Sequence, residues 1–261
     1  MRLLATRSSV TSVGAGPSTD ADALAYIAAV EAADGQALED GVKDAYTGFI
    51  VGAKSDGIWG AIKSSCILAG ARTLTGALVP LIGSAPTNVN NNFVSGDYDR
   101  KLGLSGNGST KYLDTNFNNN LTGLNDIHLA FYPTQTISGS IGVGGGGTSG
   151  ATHFATGAVR NRNSGSAAYT YQLNALIGSA RDNASNFELR AAGSTSIVNI
   201  ASTGQDLIDG NHYVFARNQL PAAGQLSSGR FAFYSVGDFL DLELLDARVS
   251  TLISDIGSAI P

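Results

Sequence analysis

The sequence predicts a mainly β protein, an antiparallel β-sandwich with an α-helical N-terminal region and a closing C-terminal helix. Three observations lead there. From about residue 95 to 236, short segments alternate apolar with polar residues and are separated by Gly, Asn and Ser, as in antiparallel sheets packed face to face. Before residue 70 and after residue 241, apolar residues instead recur every three or four positions, the period of a helix with one buried face. The third is composition: 33 glycines and only 14% charged residues, against about 25% in an ordinary soluble domain. A surface of Gly, Ser, Thr and Asn suits a turn-rich β protein.

Residues 1–18 form a polar arm ending in Gly-Ala-Gly-Pro-Ser, without apolar periodicity. The first helix takes Asp20 or Asp22 as its cap, runs through Leu24, Ile27 and Val30, and stops at Asp34-Gly35. The second carries Leu38, Val42, Ala45, Tyr46, Phe49, Ile50 and Ala53 on one broad face, beside a stripe of small residues, Gly41, Ala45, Gly48 and Gly52. Glycine inside a helix costs about 1 kcal/mol relative to alanine, so the stripe predicts a closely packed neighbour. A third helix is expected over residues 58–68, holding Trp59 and a buried free Cys66. Residues 74–82 read as a buried extended link, because Pro80 bars a central strand, and residues 88–92, nearly all asparagine, as a turn.

The strands follow. Their apolar faces are Ile127, Leu129 and Phe131; Tyr169, Tyr171 and Leu173; Phe187 and Leu189; Ile197; Tyr213 and Phe215; Phe231 and Phe233. Leu245, Val249, Leu252, Ile253 and Ile256 mark one side of the terminal helix, capped by Asp238 or Asp241. The expected organisation is an arm (1–18), a helical docking region and link (19–85), and a sandwich with its terminal helix (86–261).

Composition also excludes functions. A net charge of −5 argues against a groove for nucleic-acid backbone, which needs clustered Lys and Arg. The single cysteine excludes an internal disulfide framework and a Cys-rich zinc site. No stretch approaches the roughly 18 apolar residues of a membrane span. The first residues lack the apolar core of a signal peptide, so the expectation is a protein made in a cytoplasm and not exported by the usual route. No strong internal repeat is visible, which disfavours propellers and solenoids.

Several segments, taken in order, carry a family resemblance. Residues 93–114 include Gly-Asn-Gly-Ser-Thr-Lys-Tyr-Leu-Asp at 106–114. Asp-Ile-His-Leu-Ala-Phe-Tyr-Pro-Thr follows at 126–134, then Gly-Asn-His-Tyr-Val-Phe-Ala-Arg-Asn at 210–218. Phe-Tyr-Ser-Val-Gly at 233–237 precedes the last helix, and Ala-Gly-Ala-Arg-Thr-Leu at 69–74 precedes the whole set. This order resembles the laminin-G-like, concanavalin-A-like jelly rolls of bacteriophage virion proteins, over most of residues 20–261. The resemblance implies a sandwich on a virion surface and does not fix a ligand.

The sequence is poor in catalytic patterns. The glucanases of the sandwich superfamily rest on a Glu-x-Asp-x-Glu arrangement; the four glutamates here, Glu31, Glu39, Glu188 and Glu243, do not occur in that spacing. Asp241 and Glu243 suit the start of a helix, where the dipole favours carboxylates. His128, His153 and His212 fall on separate strands and lack the HxxxH and HExxH spacings. No Gly-x-Ser-x-Gly elbow occurs. Residues 142–147, glycine-rich, are not followed by the Lys-Ser/Thr of a phosphate loop and are expected to be a flexible loop. Laminin-G-like domains sometimes hold calcium, for which Asp97, Asp99 and Asn107 are the candidate oxygen ligands.

The expectation is therefore a non-enzymatic virion surface structural protein, a capsid decoration or appendage subunit, without a cofactor. It would form homo-oligomers and dock on other virion proteins through the arm and helices. Arg2, Leu3, Leu4, Arg7 and Val10 are the assembly contacts. The alternative is a tail-fibre or receptor-binding protein recognising host-surface glycan. Its candidate contacts are Asn118, Asn119, Asn120, Arg160, Asn161, Arg162 and Asn163, within the loops 116–120, 144–150 and 160–164.

Overall fold

The computed structural model describes residues 19–146, 151–155, 157–163, 165–199, 207–220 and 222–261. Arg2, Leu3, Leu4, Arg7 and Val10 lie outside these residues. Helix α1 (Ala21–Asp34) is capped by Asp20, whose carboxylate accepts from the Asp22 and Ala23 amides, and it ends at Gly35 with φ 69°. Helix α2 spans Asp40–Ser55, a short α3 spans Leu74–Ala77, and α4 spans Leu242–Ala259. The Asp241 carboxylate caps α4 by accepting from Glu243 and Leu244.

The strands in chain order begin with β1 (Ile62–Ile67), β2 (Thr87–Asn88), β3 (Tyr98–Asp99), β4 (Gly103–Ser105) and β5 (Leu113–Asn118). Then come β6 (Ile127–Gln135), β7 (Val143–Gly145), β8 (Thr152–Ala155), β9 (Ala158–Asn161) and β10 (Ala167–Ala168). After these lie β11 (Ile177–Arg181), β12 (Asn186–Ala191), β13 (Ser194–Asn199) and β14 (Asn211–Val214). The last are β15 (Arg217–Asn218), β16 (Ala223–Gly224) and β17 (Arg230–Gly237).

They form two sheets. The first runs β13-β12-β11-β6-β17-β4-β3, and β1 shares the free side of β17 with β4. The second runs β10-β9-β8-β7-β14-β5-β2, with β15 and β16 attached beside β7. Neighbours are antiparallel throughout these paths; β15 with β7 is a two-residue parallel exception. The architecture is a mainly β, antiparallel sandwich with an N-terminal helical region and a C-terminal helix.

The inner strands of the first sheet, β6, β11 and β17, are buried on both faces. Leu129, Phe131, Ile177, Phe187, Leu189, Phe231 and Val236 meet Leu113, Val143, Phe154, Val159 and Val214 of the second sheet. On the opposite face, Ala130, Tyr132, Ala180, Ala232 and Phe233 pack under α1, α2 and α4. Burying a side chain of the size of Phe233, or of Phe49 and Ile50 above it, contributes about 1.5–3 kcal/mol, so the helical layer is a second core and not an appendage. The expected boundary near residue 85 does not separate two bodies: β1 lies in the sheet, with Cys66 opposite Tyr234.

Several expectations change. Residues 62–67 are strand, preceded only by a 3₁₀ turn at Trp59–Ala61, so Cys66 sits in a sheet. Residues 74–82 hold α3 and turns, not an extended link. Residues 169–173 are not a strand. The glycine-rich stretch is partly the buried strand β7, where φ of 121° at Gly144 and a would-be Cβ 2.2 Å from the Thr152 carbonyl require glycine. A register shift between Phe231 and Phe233 sends them to opposite cores. On β14 it is His212 and Val214 that face inward, and Phe215 joins the core from a φ of 69°. The neighbour of the small-residue stripe is α4 of the same chain: a Cβ on Gly41 would lie 2.8 Å from that of Ala259, and one on Gly52 would meet Arg248.

Candidate functional site

Of the loops proposed from sequence, the described residues 116–120 and 160–163 meet through Asn119 and Arg162, and Asn119, Asn161, Arg162 and Asn163 are buried. Arg162 is fully buried, with φ of 52°. Its guanidinium donates to the carbonyls of Asn119, Thr122 and Gly123 and, at 2.6 Å, to the Thr122 hydroxyl. Arg181, also fully buried, donates to the carbonyls of Asn161 at 3.0 Å, Arg162 at 2.8 Å and Asn183 at 2.8 Å. Loss of water, with Arg181 nearby as a second cation, pushes Arg162 down to about 10. Asn161 is buried and donates to the Ser179 hydroxyl at 3.2 Å; Asn163 Oδ1 accepts the Asn161 amide at 3.0 Å.

Asn119, Asn161, Arg162 and Asn163 are thus corrected from sugar-binding candidates to internal residues, because all four are buried away from solvent. Asn118, Asn120 and Arg160 do reach the surface. Asn118 donates to Asp209 at 2.7 Å and caps the turn at Asn120. Asn119 and Arg162, distant in sequence, are brought into direct contact; Asn118 and Arg160 lie on different strands of the second sheet.

The outer face of that sheet carries a transverse row. Thr87, Asp114, Tyr213, Gly144, His153 and Arg160 are successive cross-strand partners. Tyr213 packs on Tyr112 with ring centroids 4.9 Å apart, and Asn211 donates to Asp114 at 3.0 Å. His153 is held down to about 3 by burial and then by the cations Arg217 and Arg160. Sequence reasoning missed this row, because its register is set by pairings between segments far apart in the chain.

Two adjoining clefts lie at the β10 edge and share Tyr169 and Thr170. One, of about 370 Å³, is lined by these with Ala168, Leu189, Ser194 and Ser196. The other, of about 320 Å³, adds Ile137, Gly139, Ile141 and Tyr171. Both phenols are anchored inward: Tyr169 donates to the Ala155 carbonyl at 3.1 Å, and Tyr171 Oη accepts the Ile137 amide at 3.1 Å. Thr170, Ser194 and Ser196 also line the openings, with the Ser194 hydroxyl donating to the Ala191 carbonyl at 3.3 Å and the Ser196 hydroxyl to that of Leu189 at 3.5 Å. The period-two pattern at Tyr169 and Tyr171 was a signal of ordered aromatic placement that did not distinguish a cleft wall from a strand.

Other candidate groups serve the fold. His128 donates from Nδ1 to the Asp238 carbonyl at 2.5 Å and accepts from Ser235 Oγ at 2.7 Å through Nε2, the arrangement of a neutral ring. Burial lowers it to about 4. His212 is stacked near Phe117 and lowered to about 3 by burial, then by Arg162. Cys66 is buried, and loss of water raises its thiol to about 12, which disfavours the reactive thiolate.

The calcium candidates do not converge. Asn107 Oδ1 accepts the amides of Ser109, Thr110 and Lys111; Asp99 accepts those of Lys101 and Leu102; Asp97 pairs with Lys111 at 2.5 Å. Oxygens turned to N–H and ammonium donors are poorly placed to ligate a cation. Among the described residues, no group of three or more His, Cys, Asp or Glu is arranged to hold a metal ion. No described helix is long and apolar enough to cross a membrane.

The Ala-Gly-Ala-Arg-Thr segment at 69–73 is a structural hub. Its backbone receives Tyr46 on Ala69, Tyr98 and Arg100 on Ala71, and Arg100 on Gly70, and it donates from Arg72 and Thr73 to Asp34. Arg100 also grips Glu39 with two bonds of 3.1 and 2.7 Å.

No family model matches the sequence, and no curated protein matches it. Among solved structures, the chain is similar to a crystal structure of a tryptophan-to-alanine mutant of HCR/D, with 11% identity and a TM-score of 0.43. The match covers 76% of this chain and 52% of that one, so this chain spans about half the length of that structure.

Proposed function

We propose that this chain is a non-enzymatic structural protein of a bacteriophage virion surface, a capsid decoration or appendage subunit built on a laminin-G-like sandwich. The observation that carries this reading is the difference between its two faces. One sheet is roofed by helices α1, α2 and α4, and the arm joins at the start of α1. The other sheet keeps its outer row of Asp114, Tyr213 and Arg160 only partly covered. The ordered sequence segments that resemble phage modules support the same reading. So does the use of Arg162, Arg181 and His128 as struts for backbone groups, since a catalytic site needs such side chains aimed at a substrate. The helical side with its arm would dock on other virion proteins, and the second sheet would face outward.

The test is quantitative mass spectrometry of purified particles of the encoding phage. Hundreds of copies per particle mark a capsid decoration, and about a dozen mark an appendage. Absence from purified particles would overturn the proposal.

A second reading, a tail-fibre or receptor-binding protein for host-surface glycan, is favoured by the cleft of Tyr171, Tyr169, Thr170 and Gly139. It joins aromatic surface to neutral hydroxyl and backbone groups without a charged wall residue among the described residues. Binding of the protein to host-surface polysaccharide, weakened at least tenfold by Thr170→Trp, would support it.

A further inference from the structure

Strand β13 ends the first sheet and pairs only with β12 among the described residues. Its residues, Ser-Thr-Ser-Ile-Val-Asn, include neither a charge nor a proline. The pairing to β12 runs without a register shift from Asn199 opposite Asn186 to Ser194 opposite Ala191. Edge strands that stay single are commonly blunted by lysine, proline or a bulge; β13 has none of the three. Nearly the whole strand is exposed, with Ile197 at 57%. A straight row of backbone donors and acceptors beside an exposed branched side chain is the geometry of strand addition.

We propose that β13 docks a second copy of this chain, the two β13 strands pairing antiparallel about a two-fold axis at Ile197. A two-fold contact places a patch against itself. A charged strand would meet its own charge there, and this neutral one does not. The register follows from side chains. With Ile197 on the axis, each Ile197 meets its copy, an apolar cross-strand pair, and Ser196 lies opposite the second copy's Val198. Ser196 shares a face with Leu189 of the intersheet core and lines the 370 Å³ cleft. The incoming Val198 therefore arrives at the mouth of a cleft whose lining, Ala168, Tyr169, Leu189, Ala191 and Ser194 among it, has no charged side chain to strand among the described residues. Moving the axis by one residue sets Ile197 against Thr195 or Asn199 and loses the Ile197 pair.

The experiment is sedimentation velocity on the full chain and on Ile197→Lys, Ile197→Glu and Ile197→Cys. Because Ile197 is exposed, these variants retain the fold, checked by circular dichroism. The wild type is expected to be a dimer and each charged variant a monomer. An equimolar mixture of the Lys and Glu variants recovers the dimer, because residue 197 facing itself then pairs opposite charges. Ile197→Cys forms an intermolecular disulfide under mild oxidation, the strand-pair Cα separation of about 4.5–5.5 Å being within reach of one, whereas buried Cys66 does not. A wild type that stays monomeric at every concentration overturns the proposal and leaves the edge to a different partner. A wild-type dimer that persists in both charged variants, or a mixture that does not recover, also overturns it.

Discussion

Arg190 on β12 and Asp246 on α4 form a buried ion pair that fastens the terminal helix to the sandwich. Arg190 Nη2 and Nε reach Asp246 Oδ2 at 2.8 and 2.9 Å, and Asp246 Oδ1 accepts from the Leu176 amide at 3.0 Å and Ser250 Oγ at 3.1 Å. The side chains are only 12% and 8% exposed. Removing one partner strands a cation and an amide together.

Asp246→Ala should therefore destabilise the protein by about 3–5 kcal/mol, the usual result of breaking a buried pair. Adding Arg190→Met to that variant should recover part of the loss, since the stranded charge goes with it. Denaturant unfolding measures both. A loss below about 1 kcal/mol, typical of an exposed pair, would contradict the anchoring role.

Acid should unfold the chain through its histidines. His128, His153 and His212 are lowered to about 4, 3 and 3 from 6.5. The unfolded chain binds protons below pH 6.5 that the folded chain refuses, so stability falls as pH drops from 6.5 toward 4. The slope approaches about 1.4 kcal/mol per pH unit for each histidine. Below the folded values the dependence levels off. Thermal unfolding between pH 7 and 4 checks this, and His212→Gln should flatten the curve. A pH-independent midpoint over that interval would contradict the buried, neutral assignment.

Arg162→Met should release the turn at residues 119–123, whose carbonyls lose their donor. Each unsatisfied buried acceptor costs about 1–3 kcal/mol. Hydrogen exchange should quicken at the Asn119 amide, which donates to Gly210 at 2.9 Å, while β6 and β17 remain protected. Unchanged exchange at Asn119 would show that the turn stands without the guanidinium.

Gly41→Val should loosen the contact of α2 with α4, because its Cβ has no space beside Ala259. Gly48→Ala should instead stabilise by up to about 1 kcal/mol, since nothing lies within 4 Å of a Cβ there. Equal effects of the two substitutions would deny the close helix contact.

The elements most legible in the sequence were those with local signals. Asp20, Gly35 and Asp241 mark helix ends through caps and a left-handed stop, and they lie at those ends. Strand β1 was hidden because all but Lys63 of its residues are buried, which erases period-two alternation. The bulge at Phe231–Phe233 arises from pairing with β6, information that no local window contains. For the candidate site, residue type named Arg162 and Asn119 but not their direction. An arginine in a polar loop reads as a surface group until the fold places backbone carbonyls around it.

The most direct test of the central claim is a cryo-EM map of the particle in which the chain is located. The account predicts α1, α2 and α4 against neighbouring virion proteins, with Asp114, Tyr213 and Arg160 toward solvent. A map with the second sheet pressed against the particle and the helical layer outward would contradict it.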